Sequence, residues 1–270
     1  MDSVKIDDAE VSRFILGSNP FSGFSHQSPE IDSQMKHYYT STRIKETLAD
    51  AESCGITTLI ARADHHMIRV LMEYWDEGGE IQWFAQTCPE VGSQPQCIAR
   101  AIANGAKAVY IHGGYVDNLL ANDRIEEVKE LIDQVHQHDI PAGMAGHNPD
   151  VFRWAEKEKL PVDYYMCSYY NSAHRDKRAE HVPGQKEWFL EEDRRIMSEL
   201  IQDLSKPVIH YKIMAAGRND PKEALTHVVR TMRPNDAVCV GVFTRDMPDM
   251  IARDVNLLEE ALENKAPDDH

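Results

Sequence analysis

The stretch AKAVYIHG, residues 106–113, decides the fold of this chain. Its run AVYI is short, apolar and rich in residues that suit a buried strand, and it stops on a histidine followed by two glycines. The segment before it, QPQCIARAIANGA (94–106), has apolar residues at helical spacing and closes on a glycine; the segment after it, RIEEVKELIDQVHQHD (124–139), repeats that helical pattern.

The same unit recurs along the chain. Strand-like segments fall at 13–19, 57–64, 81–87, 106–113, 140–147, 162–171, 206–213 and 236–244. Helical patterns follow at 42–55, 67–79, 94–106, 124–139, 151–160, 193–205, 221–232 and 250–263. Strict alternation of this kind predicts parallel strands with crossover helices, and eight units in one chain predict a single-domain (β/α)8 barrel, the TIM-barrel fold, over 1–270. A doubly wound open sheet is the rival, but no GxGxxG follows the first strand. The segment 176–193, DKRAEHVPGQKEWFLEED, is longer and more polar than a usual connection; it reads either as a lid after the sixth strand or as a solvated helix.

With 270 residues and 42% hydrophobic content, the chain has the material for a sizeable core. Forty-five acidic against 29 basic residues leave a net charge of -16, which repels phosphate backbones and anionic membranes and points to a small-molecule partner. The start MDSVKIDDAEVSR is too polar for a secretory signal, and no apolar run approaches the roughly 20 residues that span a bilayer, so a cytoplasmic location is expected. Five cysteines without a CxxC pair, Cys167 among them, read as packed free thiols. His136 and His138 read as a cationic cap at a helix end.

In such a barrel the chemistry sits at the C-terminal strand ends. Those ends carry Asn19; Asp64, His65 and His66; Gln86 and Glu90; His112; His147 and Asn148; Tyr170 and Asn171; His210 and Lys212; and Thr244 with Arg245. Residues two apart share a face, so Arg62 is expected to point with Asp64, and His210 with Lys212. His112 and His147 occupy equivalent places on neighbouring strands. With Asp64 or Glu90 supplying a carboxylate they would suit a divalent transition metal; otherwise they orient substrate or act as general acid or base. Lys212, inside an apolar strand, reads either as a Schiff-base or proton-abstracting lysine or as the partner of Asp64 or Glu90.

The order VDYYMCSYYN, KPVIHYKIMAAGR, AVCVGVFTRDMPDMIARDVNLLEEAL resembles the sixth to eighth units of the aldo-keto reductase superfamily, and ILGSNPFSGFSH and TLADAESCGITTLIARAD resemble its first two. The resemblance implies a barrel with an Asp, Tyr, Lys, His tetrad and a nicotinamide cofactor. Asp64 and His112 match the aspartate and histidine. Gln86 stands where the family has lysine, and HHMIRV after Asp64 lacks the tyrosine, leaving His65 or His66 as substitute acid. For a cofactor, the turn AAGR with Gly217 and Arg218 could hold an anion, and Arg245 adds a cation beside the opposing Asp246 and Asp249.

The expected function is therefore an enzyme of lyase, isomerase or hydrolase type using acid/base or metal-assisted chemistry on a small polar, carbohydrate or hydroxy-carbonyl substrate. Asp64, His112, Lys212 and Tyr170 form its catalytic set, with His112, His147, Asp64 and Glu90 as metal ligands. The alternatives are an NAD(P)H-dependent oxidoreductase with a rearranged acid, and a noncatalytic ligand-binding barrel.

Overall fold

The computed structural model describes residues 1–180, 182 and 186–265. It opens with an antiparallel hairpin that the sequence reading passed over, β1 (Ser3–Ile6) and β2 (Ala9–Ser12), joined through Asp7 in the left-handed region. The alternation in SVKI was the available signal: Val4 and Ile6 are buried, and Ser3 and Lys5 are not. The hairpin plugs the bottom of a closed barrel, where Val4, Ile6 and Val11 pack beneath Ile15, Phe84 and Tyr164.

Eight parallel strands form that barrel: β3 (Phe14–Gly17), β4 (Thr58–Arg62), β5 (Gln82–Gln86), β6 (Ala108–Ile111), β7 (Ala142–Gly146), β8 (Tyr164–Ser168), β9 (Val208–Tyr211) and β10 (Ala237–Gly241). They pair in sequence order, and β10 closes onto β3. Each lies inside its expected segment, so the fold is the expected α/β (β/α)8 barrel.

The helices are α1 (Pro29–Tyr38), α2 (Ser41–Ser53), α3 (His65–Asp76), α4 (Gln94–Ala103), α5 (Gly113–Ala121), α6 (Glu127–His136), α7 (Pro149–Glu158), α8 (Glu191–Ile201), α9 (Pro221–Thr231) and α10 (Met250–Glu263). Eight match expected helices. α1 and α5 do not; α5 begins on Gly113 and Gly114, directly after the opening stretch's histidine. Local signals explain most boundaries: Ser93 makes a full capping box on α4, and Asp220 caps α9 behind a first-turn proline.

Two apolar layers hold the barrel. Outside the sheet, Trp83, Phe152, Tyr165 and Leu225 are among the residues packed between strands and helices. Inside, Ile60, Phe84, Tyr110, Met166 and Ile209 fill the lumen with Tyr164, whose ring lies where a side chain on Gly143 would need to be: a Cβ there would sit 2.4 Å from it. No helix among the described residues is long and apolar enough to cross a membrane.

Of the segment expected as a lid or extra helix, residues 181 and 183–185 lie outside the described residues. Its described part contains no helix before Glu191, and its start is tied down by Asn118 of α5 and by Asn122 just past that helix, which donate to the carbonyls of Arg175 (2.6 Å) and Asp176 (3.0 Å). Cys167 is buried, which pushes its thiol well up, as a packed thiol requires. His136, in the last turn of α6, ties that helix to Asp163 at 2.8 Å.

Candidate active site

The inward-facing residues at the strand ends converge on a cavity of about 650 Å³, lined by Arg62, Gln86, Tyr110, His112, His147 and Tyr211 among others. Its floor is the lumen core, which fixes the direction of each side chain by strand alternation.

His147 follows β7 and is buried. Its Nδ1 lies 2.7 Å from Oδ2 of Asp117, a buried residue of α5 whose carboxylate also accepts the backbone N–H groups of His147 and Asn148, each at 3.1 Å. A carboxylate can only accept here, so Nδ1 carries the proton and Nε2 keeps its lone pair, 3.3 Å from the Tyr211 hydroxyl. Burial, then the nearby charge of Lys212, pushes the His147 pKa down to about 4, so the ring is neutral at pH 7. Burial raises the Tyr211 phenol well above its ordinary range, so it stays a donor.

His112 has the opposite tautomer. It caps α5, and its Nδ1 accepts the backbone N–H of Tyr115 at 3.3 Å, which leaves Nε2–H as a donor. Desolvation, followed by His147 and Arg175, holds its pKa well below the ordinary value. Gly113 leaves room for Tyr211 and His147: a Cβ there would lie 3.0 Å from the Tyr211 hydroxyl and 3.2 Å from the His147 ring.

Lys212 is recessed in the cavity and donates to Ser172 Oγ at 3.5 Å. Its backbone φ of 58° is left-handed, a conformation that costs a non-glycine residue about 1–3 kcal/mol and clusters at functional sites. Burial lowers its pKa to about 8, with Glu187 opposing the shift.

The left-handed turn overturns the expected pairing of His210 with Lys212. Alternation holds through Tyr211, which faces the cavity with Ile209 below it, and the turn then brings Lys212 to the same side. His210 faces the other way, fully buried between Tyr169 Oη (3.0 Å) and Asp236 (3.3 Å). Tyr170 is likewise behind the wall; its hydroxyl accepts from Asn219 Nδ2 at 2.8 Å and its ring packs on Phe189.

The expected metal set of His112, His147, Asp64 and Glu90 does not assemble. Asp64 caps α3 through Met67 N, and both carboxylates are held by Arg62, Asp64 at 3.0 Å and Glu90 at 2.6 Å, which interposes a cation. Among the described residues no three His, Cys, Asp or Glu side chains group as metal ligands. The same pairing keeps Asp64 and Glu90 from serving Lys212. His65 and His66 are exposed on α3, away from the cavity.

Gly217 and Arg245 line the far end of the cavity, where Ala215, Ala216 and Gly217 all have positive φ. The two arginines expected to hold an anion are engaged. Arg245 stacks on Phe243 and binds Asp246 and Gln34; Arg218 stacks on Phe189 and donates to the carbonyls of Ala215 and His26. Asp246 and Asp254 also line this end, so carboxylates stand beside its cations.

Four residues of the site escaped the sequence reading, three that line the cavity and Asp117 behind His147. Tyr110, which donates to Gln86 at 3.0 Å, shares a face with His112 and was findable by alternation, as was Tyr211. Asp117 lies on the unexpected helix α5, and Arg175 in the long connection after β8; neither carries a local signal.

No family model and no curated sequence matches the chain. Solved structures do, and what they share with this chain is the (β/α)8 barrel, aldo-keto reductases being among them. A Pseudomonas aeruginosa protein described as an aldo-keto reductase aligns over 97% of this chain and 94% of its own, with 15% identity and a TM-score of 0.64. An aldo-keto reductase of Bacillus halodurans in its holo form aligns over 97% and 93%, with 12% identity and a TM-score of 0.61. An N-acetylmannosamine-6-phosphate 2-epimerase of Clostridium perfringens aligns over 89% and 92%, with 14% identity and a TM-score of 0.52. At these identities the likeness is one of fold, and barrels of this kind host many chemistries.

Proposed function

We propose that this chain is an enzyme that moves protons on a small oxygenated substrate, a hydroxy-carbonyl compound or sugar, by acid/base chemistry of isomerase or lyase type. The observation that carries the reading is the pair of neutral imidazoles of opposite tautomer at one cavity, His147 with a lone pair on Nε2 and His112 with a proton on Nε2.

In this reading His147 takes a proton from a carbon or hydroxyl next to the substrate carbonyl, and Asp117 stabilises the imidazolium that forms. The carbonyl oxygen gains negative charge as the proton leaves. His112 Nε2–H and the Tyr211 hydroxyl are hydrogen-bond donors for it, and Lys212 supplies a positive charge in a site of low polarity. Return of the proton to the neighbouring atom gives an isomerase; loss of a leaving group gives a lyase.

The test is proton exchange. Incubation in D2O with a panel of hydroxy-carbonyl compounds, followed by proton NMR, is expected to show enzyme-dependent loss of the signal from the carbon next to the carbonyl, abolished in His147→Ala. No exchange with any member of the panel defeats the proposal. The run of the cavity between the loops after β9 and β10 favours a second reading, a nicotinamide-linked oxidoreductase. Fluorescence titration with NADPH separates the two, and absence of binding at millimolar cofactor removes the second.

A further inference from the structure

Four arginines line the cavity, and three are neutralised in place: Arg62 by Asp64 and Glu90, Arg245 by Asp246, and Arg253 by Asp254. Arg175 differs. It is 8% exposed, and among the described residues its side chain forms no ion pair and makes one hydrogen bond, from Nη1 to the carbonyl of Glu180 at 3.0 Å. A guanidinium has five N–H donors in a rigid fork, so most of its donor capacity is left over. Lys212, on the same cavity, has three donors and a single contact at 3.5 Å.

The nearby carboxylates are committed elsewhere. Asp117 spends its oxygens on His147 and on two backbone N–H groups. Both oxygens of Glu187 lie within 3.0 Å of His26 Nδ1. A buried guanidinium without a counter-ion is expensive, and in a cavity that stays open the natural partner is the ligand.

We propose that Arg175 and Lys212 form an oxyanion subsite, so that the substrate is an acid, carrying a carboxylate or a phosphate beside the carbon on which His147 acts. This rests on the acid/base reading, whose substrate it narrows, but it is tested by binding alone. Arg175 would grip two oxygens of the anion through its fork, and Lys212 would neutralise the remaining charge from the wall of β9.

Titration calorimetry with three probes, inorganic phosphate, glycolate and the neutral glycolamide, decides the matter. Phosphate or glycolate is expected to bind at least about tenfold more tightly than glycolamide, and their ranking tells which oxyanion the site prefers. Arg175→Gln should weaken the anion by about ten- to a hundredfold, the worth of hydrogen bonds between charged groups, without changing glycolamide. Arg175→Lys should restore part of the loss, and Arg153→Gln on the exposed face of α7 should restore nothing and lose nothing. Circular dichroism and the thermal midpoint establish that each variant is folded; if Arg175→Gln unfolds, the Arg175→Lys comparison carries the test, with weakening expected there too.

Equal affinity for anion and amide, or anion affinity indifferent to Arg175, overturns the inference. Anion binding through Arg175 without proton exchange on any acid defeats the acid/base reading and leaves the subsite standing. Exchange on neutral substrates with no preference for anions does the reverse.

Discussion

Replacing Asp117 by asparagine separates the stability of the His147 pair from its chemistry. Asp117 Oδ1 accepts two backbone N–H groups, from His147 and Asn148, and the amide oxygen of Asn can keep both. The other position becomes an NH2 group facing Nδ1–H, donor against donor, in place of a 2.7 Å charge-assisted bond. That bond contributes about 1.5–3 kcal/mol, and the ring recovers much of it by moving its proton to Nε2. The variant should therefore lose about 1–2 kcal/mol of stability by the same account. Its activity should fall far more, on the order of 10³–10⁴, because Nε2 no longer has a lone pair. Asp117→Ala instead leaves two buried N–H groups without a partner and should lose about 3–5 kcal/mol. Urea unfolding measures the stabilities, exchange in D2O the rates, and ¹⁵N shifts of the His147 ring the tautomer. An asparagine variant that retains the Nδ1–H tautomer, or turns over within about threefold of wild type, refutes the reasoning.

Gly113→Ala places a methyl 3.0 Å from the Tyr211 hydroxyl, so about 1–3 kcal/mol of crowding opposes the roughly 1 kcal/mol gained by alanine in a helix; unfolding should show a small net loss while turnover drops about tenfold or more as His147 shifts. The rate should rise with pH through about 4, as His147 gives up its proton, and fall through about 8, as Lys212 loses the charge that holds the substrate; a profile without the alkaline limb would remove Lys212 from the cation role. Stability has its own signature. His147 is harder to protonate folded (about 4) than unfolded (about 6.5), so the unfolded chain binds the proton first and stability should decline by about 3 kcal/mol as pH falls from 6.5 to 4, an interval in which His147→Gln should flatten the curve. His65→Ala and His66→Ala, on the exposed face of α3, should leave turnover within about twofold of wild type, where a role as substitute acid demands a large loss.

The fold was legible because its signal is local and repeated. Each buried strand must be apolar over four or five residues and each covering helix must carry a stripe at 3.6-residue spacing, so eight such units are countable in the chain itself. Two of the three exceptions, α1 aside, follow the same logic. α5 begins with Gly113-Gly114, poor helix formers at its first positions, and the β1–β2 hairpin is four residues per strand, too short for periodicity to stand out. The positions of His112 and His147 were legible too, since each directly follows an apolar run that ends at the barrel mouth.

What tertiary structure decided is which way the polar groups turn and whom they meet. Alternation alone put His210 beside Lys212; a single left-handed residue, which no side chain announces, reversed that and delivered Lys212 to the cavity beside Tyr211. Arg62 claimed the two carboxylates that the chain order offered to a metal or to Lys212. Asp117 found His147 across 30 positions of sequence, and Arg175 reached the cavity from an irregular connection. Apolar patterning specifies the barrel because burial depends only on how each segment faces the core. Partnership between charged groups depends on distances of a few ångströms between segments remote in sequence, and those exist only once the barrel has closed.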